Sequence, residues 1–419
     1  GGGRSPRRGA EWLRLYLRGP HDPESAADDW GKVAEAEEQL LRQAPQQTRE
    51  AIVTGVWRQR VTWLRKLGRR DEAVAAMMKL ASREQQSSRT LTELIQWLVA
   101  EQAYSMVDEV AKRFADRIEQ DPLLLYTLAD ARDAQGNEAL ARETAERALK
   151  LNEGDQRQHW IVADALQRRG QRKWAEGEYN LVIGQGEPGA PITLISQFRL
   201  AELMHDRGDD LAAAGVLEAA VKGMESNVKQ GKEDANLGRD VTAVASRLHF
   251  FHACHLDTKG DYAGHVDRLE QALAQDPLDA DVLIALYRLA SATPEQKERT
   301  REGIRNAVEE FRRQIQRHPE DSTPYNQLAW LVSNTEGDQK EALESSLKSL
   351  ELVRKSEESR VNEAGYLDTL AHCYYAQGDF ERAVQTQSKA VELDPHSGLM
   401  NRQLALFREA LAKSKQDQQ

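Results

Sequence analysis

Residues 122–155 carry a pattern that recurs along the chain and leaves it few ways to fold. They read as two amphipathic helices joined by a tight turn. Leu125, Leu128 and Ala129 recur at helical spacing, Gln135-Gly136-Asn137 interrupts them, and Leu140, Ala141, Ala145, Ala148 and Leu149 resume the pattern. A hairpin of 34 residues cannot bury both faces of both helices, so it needs a neighbour on each side. The neighbours are there. Gly68, Gln102, Gly136 and Gly170 occupy the turn at 34-residue steps. Glycine suits that place because the first helix ends there in a left-handed conformation. Ala73, Val107, Ala141 and Ala175 stand five residues after the turn, and Leu80, Phe114, Ala148 and Val182 twelve after it. The small set lets two helices approach closely, and the larger set fills the space between hairpins. The expected fold is all-α: an α-solenoid, or superhelix, of stacked helical hairpins.

Composition agrees. Of 419 residues, 30% are charged and only 6% aromatic, and alternating β-type runs do not stand out, so almost no sheet is expected. The net charge of −11 argues against a nucleic-acid footprint. Cys254 and Cys373 lie far apart inside predicted helices and read as small buried hydrophobes. No apolar run approaches the roughly 18 residues of a membrane span. The chain begins Gly1-Gly2-Gly3 and not with Met, so we expect a fragment or processed product, with the cytoplasm the favoured compartment.

The spacing resembles the tetratricopeptide repeat. The best match is Leu367, Leu370, Ala371, Tyr374, Gly378, Phe380, Ala383, Ala390 and Pro395. A second is Ala253, Gly260, Tyr262, Leu269, Ala272 and Pro277, with His252 and His265 where the family uses Leu and Ala. The resemblance covers most of the chain and implies a bacterial-type multi-repeat scaffold.

In chain order, residues 1–10 are expected to be a flexible basic leader and 11–53 an atypical helical hairpin or cap. There, the apolar stretch from Trp12 to Leu17 and the stretch from Trp30 to Arg42 read as helices, with the residues 21–25 between them as a loop. Four regular hairpins follow over 54–187, and further hairpins over 188–279 carry an insertion at 227–240. That insertion either lengthens two helices or makes a polar excursion. Divergent and C-terminal hairpins occupy 280–397, with a helix start at Thr293-Pro294-Glu295-Gln296, a cap residue followed by proline. A capping helix and a frayed tail close the chain over 398–419.

Motifs that could carry chemistry have blander readings. Gly184, Gly186 and Gly189 satisfy a phosphate-loop spacing, yet the preceding residues end a helix where the mechanism needs a strand. Ser345 and Lys348 match a nucleophile pair without its companion motifs. His249, His252, Cys254 and His255 form the densest set of possible ligands, and two or three could share a helix edge. No fourth ligand is evident, so they read as packing or exposed residues. No catalytic residue, metal or cofactor is expected, and the chain reads as not an enzyme.

The resemblance implies a different kind of site. In that family the first helix of each hairpin lines a concave groove that binds peptides. Transferred position by position, the groove residues are Arg58, Arg65, Tyr126, Asp130, Asp133, Trp160, Asp164, Phe198, Glu202 and Phe250. Tyr126, Trp160, Phe198 and Phe250 would form an aromatic ladder rimmed by carboxylates, with Arg58, Arg65 and Lys66 making its start basic. Such a groove suits a protein or peptide segment with basic and apolar residues. Helical aromatic spacing also suits packing between repeats. The Lys and Asn clamp of chaperone-binding members is absent, since the matching pairs include Tyr126/Asp130 and Trp160/Asp164. The expected role is a non-catalytic interaction scaffold. The alternative is the regulatory or substrate-presenting arm of a larger enzyme of kinase or glycosyltransferase type.

Overall fold

The computed structural model describes residues 14–15, 20–40, 46–83, 88–229, 237–355 and 363–417. Among them the regular elements are all helices, and these pair into nine consecutive hairpins, with one helix before the first, one after the last and a four-residue helix after the second. The leader and most of the stretch from Trp12 to Leu17 lie outside the described residues. The chain forms two compact units, residues 1–153 and 154–419.

The first unit holds α1 (Pro23–Leu40), α2 (Gln46–Lys66), α3 (Arg70–Arg83), α4 (Arg89–Ala100), α5 (Tyr104–Arg113), α6 (Ala115–Ile118), α7 (Pro122–Ala134) and α8 (Glu138–Lys150). Helix α1 begins seven residues before the expected Trp30. Residues 21–25, read as a loop, are its cap and first turn. Asp22 Oδ1 accepts the Ser25 N–H at 3.2 Å, and Pro23 takes a place where no N–H is needed. Between α4 and α5 the turn residue Gln102 has φ 56°, beside 69° and 82° for Gly68 and Gly136. Gln102 therefore adopts the left-handed geometry of the glycine turns, a conformation that costs a side-chain-bearing residue roughly 1 kcal/mol. The same pair of backbone bonds closes its turn and that of Gly136: Ala103 N to Leu98 O at 2.8 Å with Gln102 N to Val99 O at 2.9 Å, and Asn137 N to Arg132 O with Gly136 N to Asp133 O, both at 2.9 Å.

The second unit holds α9 (Gln156–Arg168), α10 (Arg172–Gln185), α11 (Pro191–Asp206), α12 (Asp210–Lys229), α13 (Leu237–Thr258), α14 (Tyr262–Gln275), α15 (Ala280–Tyr287), α16 (Pro294–Arg317), α17 (Ser322–Asn334), α18 (Gln339–Lys355), α19 (Glu363–Ala376), α20 (Phe380–Leu393) and α21 (Gly398–Asp417). The insertion at 227–240 is taken up in part by longer helices, since α12 has 20 residues and α13 has 22; residues 230–236 lie outside the described set. Thr293 and Gln296 make the reciprocal capping box at the start of α16. The glycine-rich stretch after α10 is a joint between helices. Gly189 O accepts from Asn227 Nδ2 at 3.0 Å, and a Cβ on Gly223 would stand 2.7 Å from Gly189 N, so the backbones meet there directly. The tail expected to fray stays helical to Asp417, and Lys415 Nζ is 3.0 Å from Glu381 on the preceding helix.

Helix α21 also reaches back across its own unit. The Asp206 carboxylate, at the end of α11, accepts the Gly398 N–H at 3.1 Å and the Leu399 N–H at 2.9 Å. It thus caps a helix 192 residues further on. Arg172 pairs with the same carboxylate, and the His396 ring lies directly over Gly170, whose φ is 74°. Burial raises the Asp206 pKa, but the Leu399 N–H, Arg172 and the Gly398 N–H outweigh it and hold the carboxyl below its ordinary 3.8.

Asp206→Asn is expected to cost about 1–2 kcal/mol at neutral pH, the scale of a lost charged cap. Because the folded pKa is depressed, the wild-type advantage is complete above the ordinary carboxylate value and is lost as pH falls through the folded one. Urea titrations of both proteins from neutral pH to about pH 3 check this. A difference that stays constant on acidification contradicts the assignment.

Candidate functional site

The predicted groove residues lie in two separate settings. In the first unit, Arg58 and Arg65 line one groove of about 690 Å³, where Arg58 and Arg65, Lys66 and Arg89 stand against Glu93 and Glu101. Arg58 Nη2 is 3.4 Å from Thr90 Oγ1, and its Nη1 is 3.9 Å from Glu93. The Arg65 guanidinium covers the Trp97 ring at 4.9 Å. The groove is basic, as four cations against two carboxylates require. Tyr126 is not on such a surface. Only 2% exposed, it is one of the largest fully buried side chains and belongs to the core, while Asp130 and Asp133 are half-buried further along α7.

In the second unit, Trp160 and Asp164 share a shallow hollow of about 330 Å³ with Arg168, to which Asp164 is paired. Phe198 is 38% exposed and stands in the wall of a larger groove of about 820 Å³. Five carboxylates line that groove, Asp276, Asp279, Asp281, Glu310 and Asp321, against Arg247 and Arg317. Asp279 caps α15 through the Asp281 and Val282 N–H groups, at 3.1 and 3.2 Å, and accepts from Ser246 Oγ at 2.8 Å. Burial, then the charge of Asp281, raises its pKa. The ladder therefore splits: Tyr126 is core, Phe250 is packed, and Trp160 and Phe198 keep part of a ring in the open.

What holds Phe250 is a residue the sequence reading passed over. Arg247 sits one turn earlier on α13, its side chain 17% exposed. It meets Glu202 at 2.7 and 3.1 Å on one side and Asp281 at 2.7 Å on the other, and its guanidinium covers both Phe250 and Phe251 at 4.9 Å. Burial opposes the charge, and Glu202 and Asp281 restore it. From Asp281 the line of contacts continues inward. Its other oxygen accepts Trp330 Nε1 at 2.8 Å, Trp330 meets His372 edge-on at 4.8 Å, and His372 meets Phe407 at 5.0 Å. One seam thus joins α11, α13, α15, α17, α19 and α21, the first helix of each hairpin from α11 onward and the closing helix. Beside it, burial pushes Asp368 up to about 6 against the Gln387 hydrogen bond, while burial and then Arg288 push His372 down to about 4. The Gln403 amide, oriented with its nitrogen toward Asp368, accepts from His372 Nε2 at 3.0 Å.

The remaining sequence motifs fall apart or stay structural. His249 faces α14, its Nδ1 3.1 Å from Arg268, and burial and then that guanidinium depress both His249 and His252. Cys254 lies among residues of α11 and α12 instead. Cys373 is fully buried against the Ala329 and Ala342 carbonyls. Ser345 is buried and Lys348 pairs with Glu351.

These features define a helical-repeat protein with a charged groove in each of its two units. A model of the tetratricopeptide repeat matches residues 364–397, which form α19 and α20. That unit is matched in sequence to the tetratricopeptide repeat, and the hairpins before it are likewise pairs of helices joined by short turns. No curated protein matches the sequence. Among solved structures, yeast Tom70 is 15% identical over 96% of this chain and 89% of its own, with a TM-score of 0.27. The Cut9–Hcn1 hetero-tetramer of the APC/C is 12% identical over 96% and 90%, with a TM-score of 0.25. The TPR2AB domain of yeast Sti1, in a pHSP90 complex, is 16% identical over 61% and 98%, with a TM-score of 0.24. At such TM-scores none of the three bears on curvature or binding. Among the described residues no helix is long and apolar enough to cross a membrane.

Arg247→Met leaves Glu202 and Asp281 facing each other without their cation. A loss of about 3–5 kcal/mol is expected, with most of it recovered when Glu202→Gln and Asp281→Asn are added. Chemical denaturation of the single and triple variants measures both. A single variant as stable as wild type overturns the place of Arg247 in the seam.

Proposed function

We propose that the protein is an interaction scaffold that holds a partner segment against the inner face of its repeats. The observation that carries this reading is Phe198, an aromatic ring left 38% exposed in the wall of the acid-lined groove. An open ring among carboxylates suits a segment that brings an apolar anchor with Lys or Arg beside it, through stacking, cation–π contact and charge pairing. Trp160, with Asp164 beside it, adds a second partly open ring in the same unit. The basic groove of the first unit, with Trp97 under Arg65, suits acidic residues of a bound segment. The role of the groove is then recognition, with affinity carried by a few anchors and charge setting which segments approach.

Phe198→Ala combined with Trp160→Ala is expected to lower capture of the bound segment at least about tenfold while helicity is unchanged. Pull-down from source-cell extract, read by quantitative mass spectrometry beside circular dichroism, tests both halves. Tyr126→Ala, in contrast, should cost about 3–5 kcal/mol of stability as a buried aromatic truncation. Undiminished capture by the folded Phe198 and Trp160 double variant would sink this reading.

A further inference from the structure

The turn after α11 folds the chain back so that two polar side chains meet. His205 lies in the last turn of α11 and Asp210 opens α12, with Gly208 at φ 87° between them. Although only five residues apart, His205 Nδ1 and Asp210 Oδ1 stand 2.5 Å from one another. Cys254 arrives from the next hairpin, on α13, and places its Sγ in the same small space. One ligand atom from each of the three residues lies within 4.8 Å of the other two.

We propose that His205, Asp210 and Cys254 form a three-ligand site for a zinc-type divalent cation, joining one hairpin to the next. The donor set is the argument. A sulfur, an imidazole nitrogen and a carboxylate oxygen together suit zinc or cobalt and do not suit the all-oxygen preference of magnesium or calcium. Zinc–ligand bonds of about 2.0–2.3 Å set tetrahedral ligands roughly 3.3–3.8 Å apart. That spacing is reached from the present one by side-chain rotation, with the cation replacing the direct His205–Asp210 contact. Three protein ligands leave a fourth position for water, and the His205 side chain, 27% exposed, gives that position a path to solvent.

Packing holds the ligands ready. The His205 ring stacks on Phe251 with centroids 4.6 Å apart and planes 24° apart, and meets Phe250 edge-on at 6.0 Å. The imidazole is therefore oriented before any cation arrives. Arg247 covers the same two phenylalanines, and its charge is already met by Glu202 and Asp281. The neighbouring histidines are less suited, because the Arg268 guanidinium stands against His249.

Titration of the full chain with cobalt(II) alone tests the proposal. The expected result is one cobalt per chain, with a near-ultraviolet sulfur-to-cobalt charge-transfer band, visible bands of a tetrahedral ion, and displacement by zinc. Cys254→Ser should remove the charge-transfer band, and His205→Gln and Asp210→Asn should each weaken cobalt binding at least about tenfold. In the wild-type chain, zinc should slow alkylation of Cys254, a readout independent of whether any variant folds. The proposal is overturned by a wild-type chain with neither the charge-transfer band nor zinc protection of Cys254. It is equally overturned by a band that survives Cys254→Ser, or by cobalt binding that is lost in His249→Gln with His252→Gln and kept in the His205 variant.

Discussion

The second unit depends on a cation held away from bulk water. Arg247 lies between Glu202 and Asp281, above two phenylalanines of its own helix, and the two carboxylates belong to the hairpins before and after it. Adjacent repeats in a solenoid ordinarily meet through apolar side chains alone, a contact that tolerates small slips. A guanidinium bonded on both sides does not, because a slip leaves a carboxylate desolvated and unpaired. The pair therefore sets the register of α11, α13 and α15, and the Trp330–His372–Phe407 contacts carry that register on to the last helix.

The same unit is tied at its other end by Asp206, which caps α21 from 192 residues away. Repeat arrays are held mainly by contacts between neighbours, and their ends fray for want of a partner. Here the last helix finds one in its own unit. With register fixed inside and an end pinned, the groove of Phe198 and its carboxylates is held in one shape, which under the proposed function lowers the ordering cost of recognition.

Much of the architecture was legible because it rests on local rules. Gly68, Gly136 and Gly170 mark turns that need a left-handed residue, and Gln102 shows that the interval itself, not the glycine, defines the repeat. Thr293 and Gln296 announce a helix start by their side-chain chemistry. Residues 21–25 misled because proline and aspartate favour loops and helix starts alike, and only Ser25 bonding to Asp22 decides between them. The site was harder to read. Periodicity places Tyr126, Trp160, Phe198 and Phe250 at one repeat position, but the depth of each ring depends on neighbours far away in sequence. Arg247 gave no signal, since a lone arginine on a helix ordinarily faces water; its partners lie 45 and 34 residues away. Cys254, grouped by sequence with three histidines, keeps company in space with His205 and Asp210.

The central claim is that partners approach the inner face at Phe198. It is tested most directly by placing a photo-crosslinking amino acid at Phe198 in one preparation and at Tyr262, an outward ring 65% exposed, in another. After irradiation in source-cell extract, crosslinked proteins are identified by mass spectrometry. The account predicts a discrete set of partners joined through position 198 and not through 262, competed away by excess unmodified chain. Partners joined equally at both positions, or at 262 alone, would contradict it.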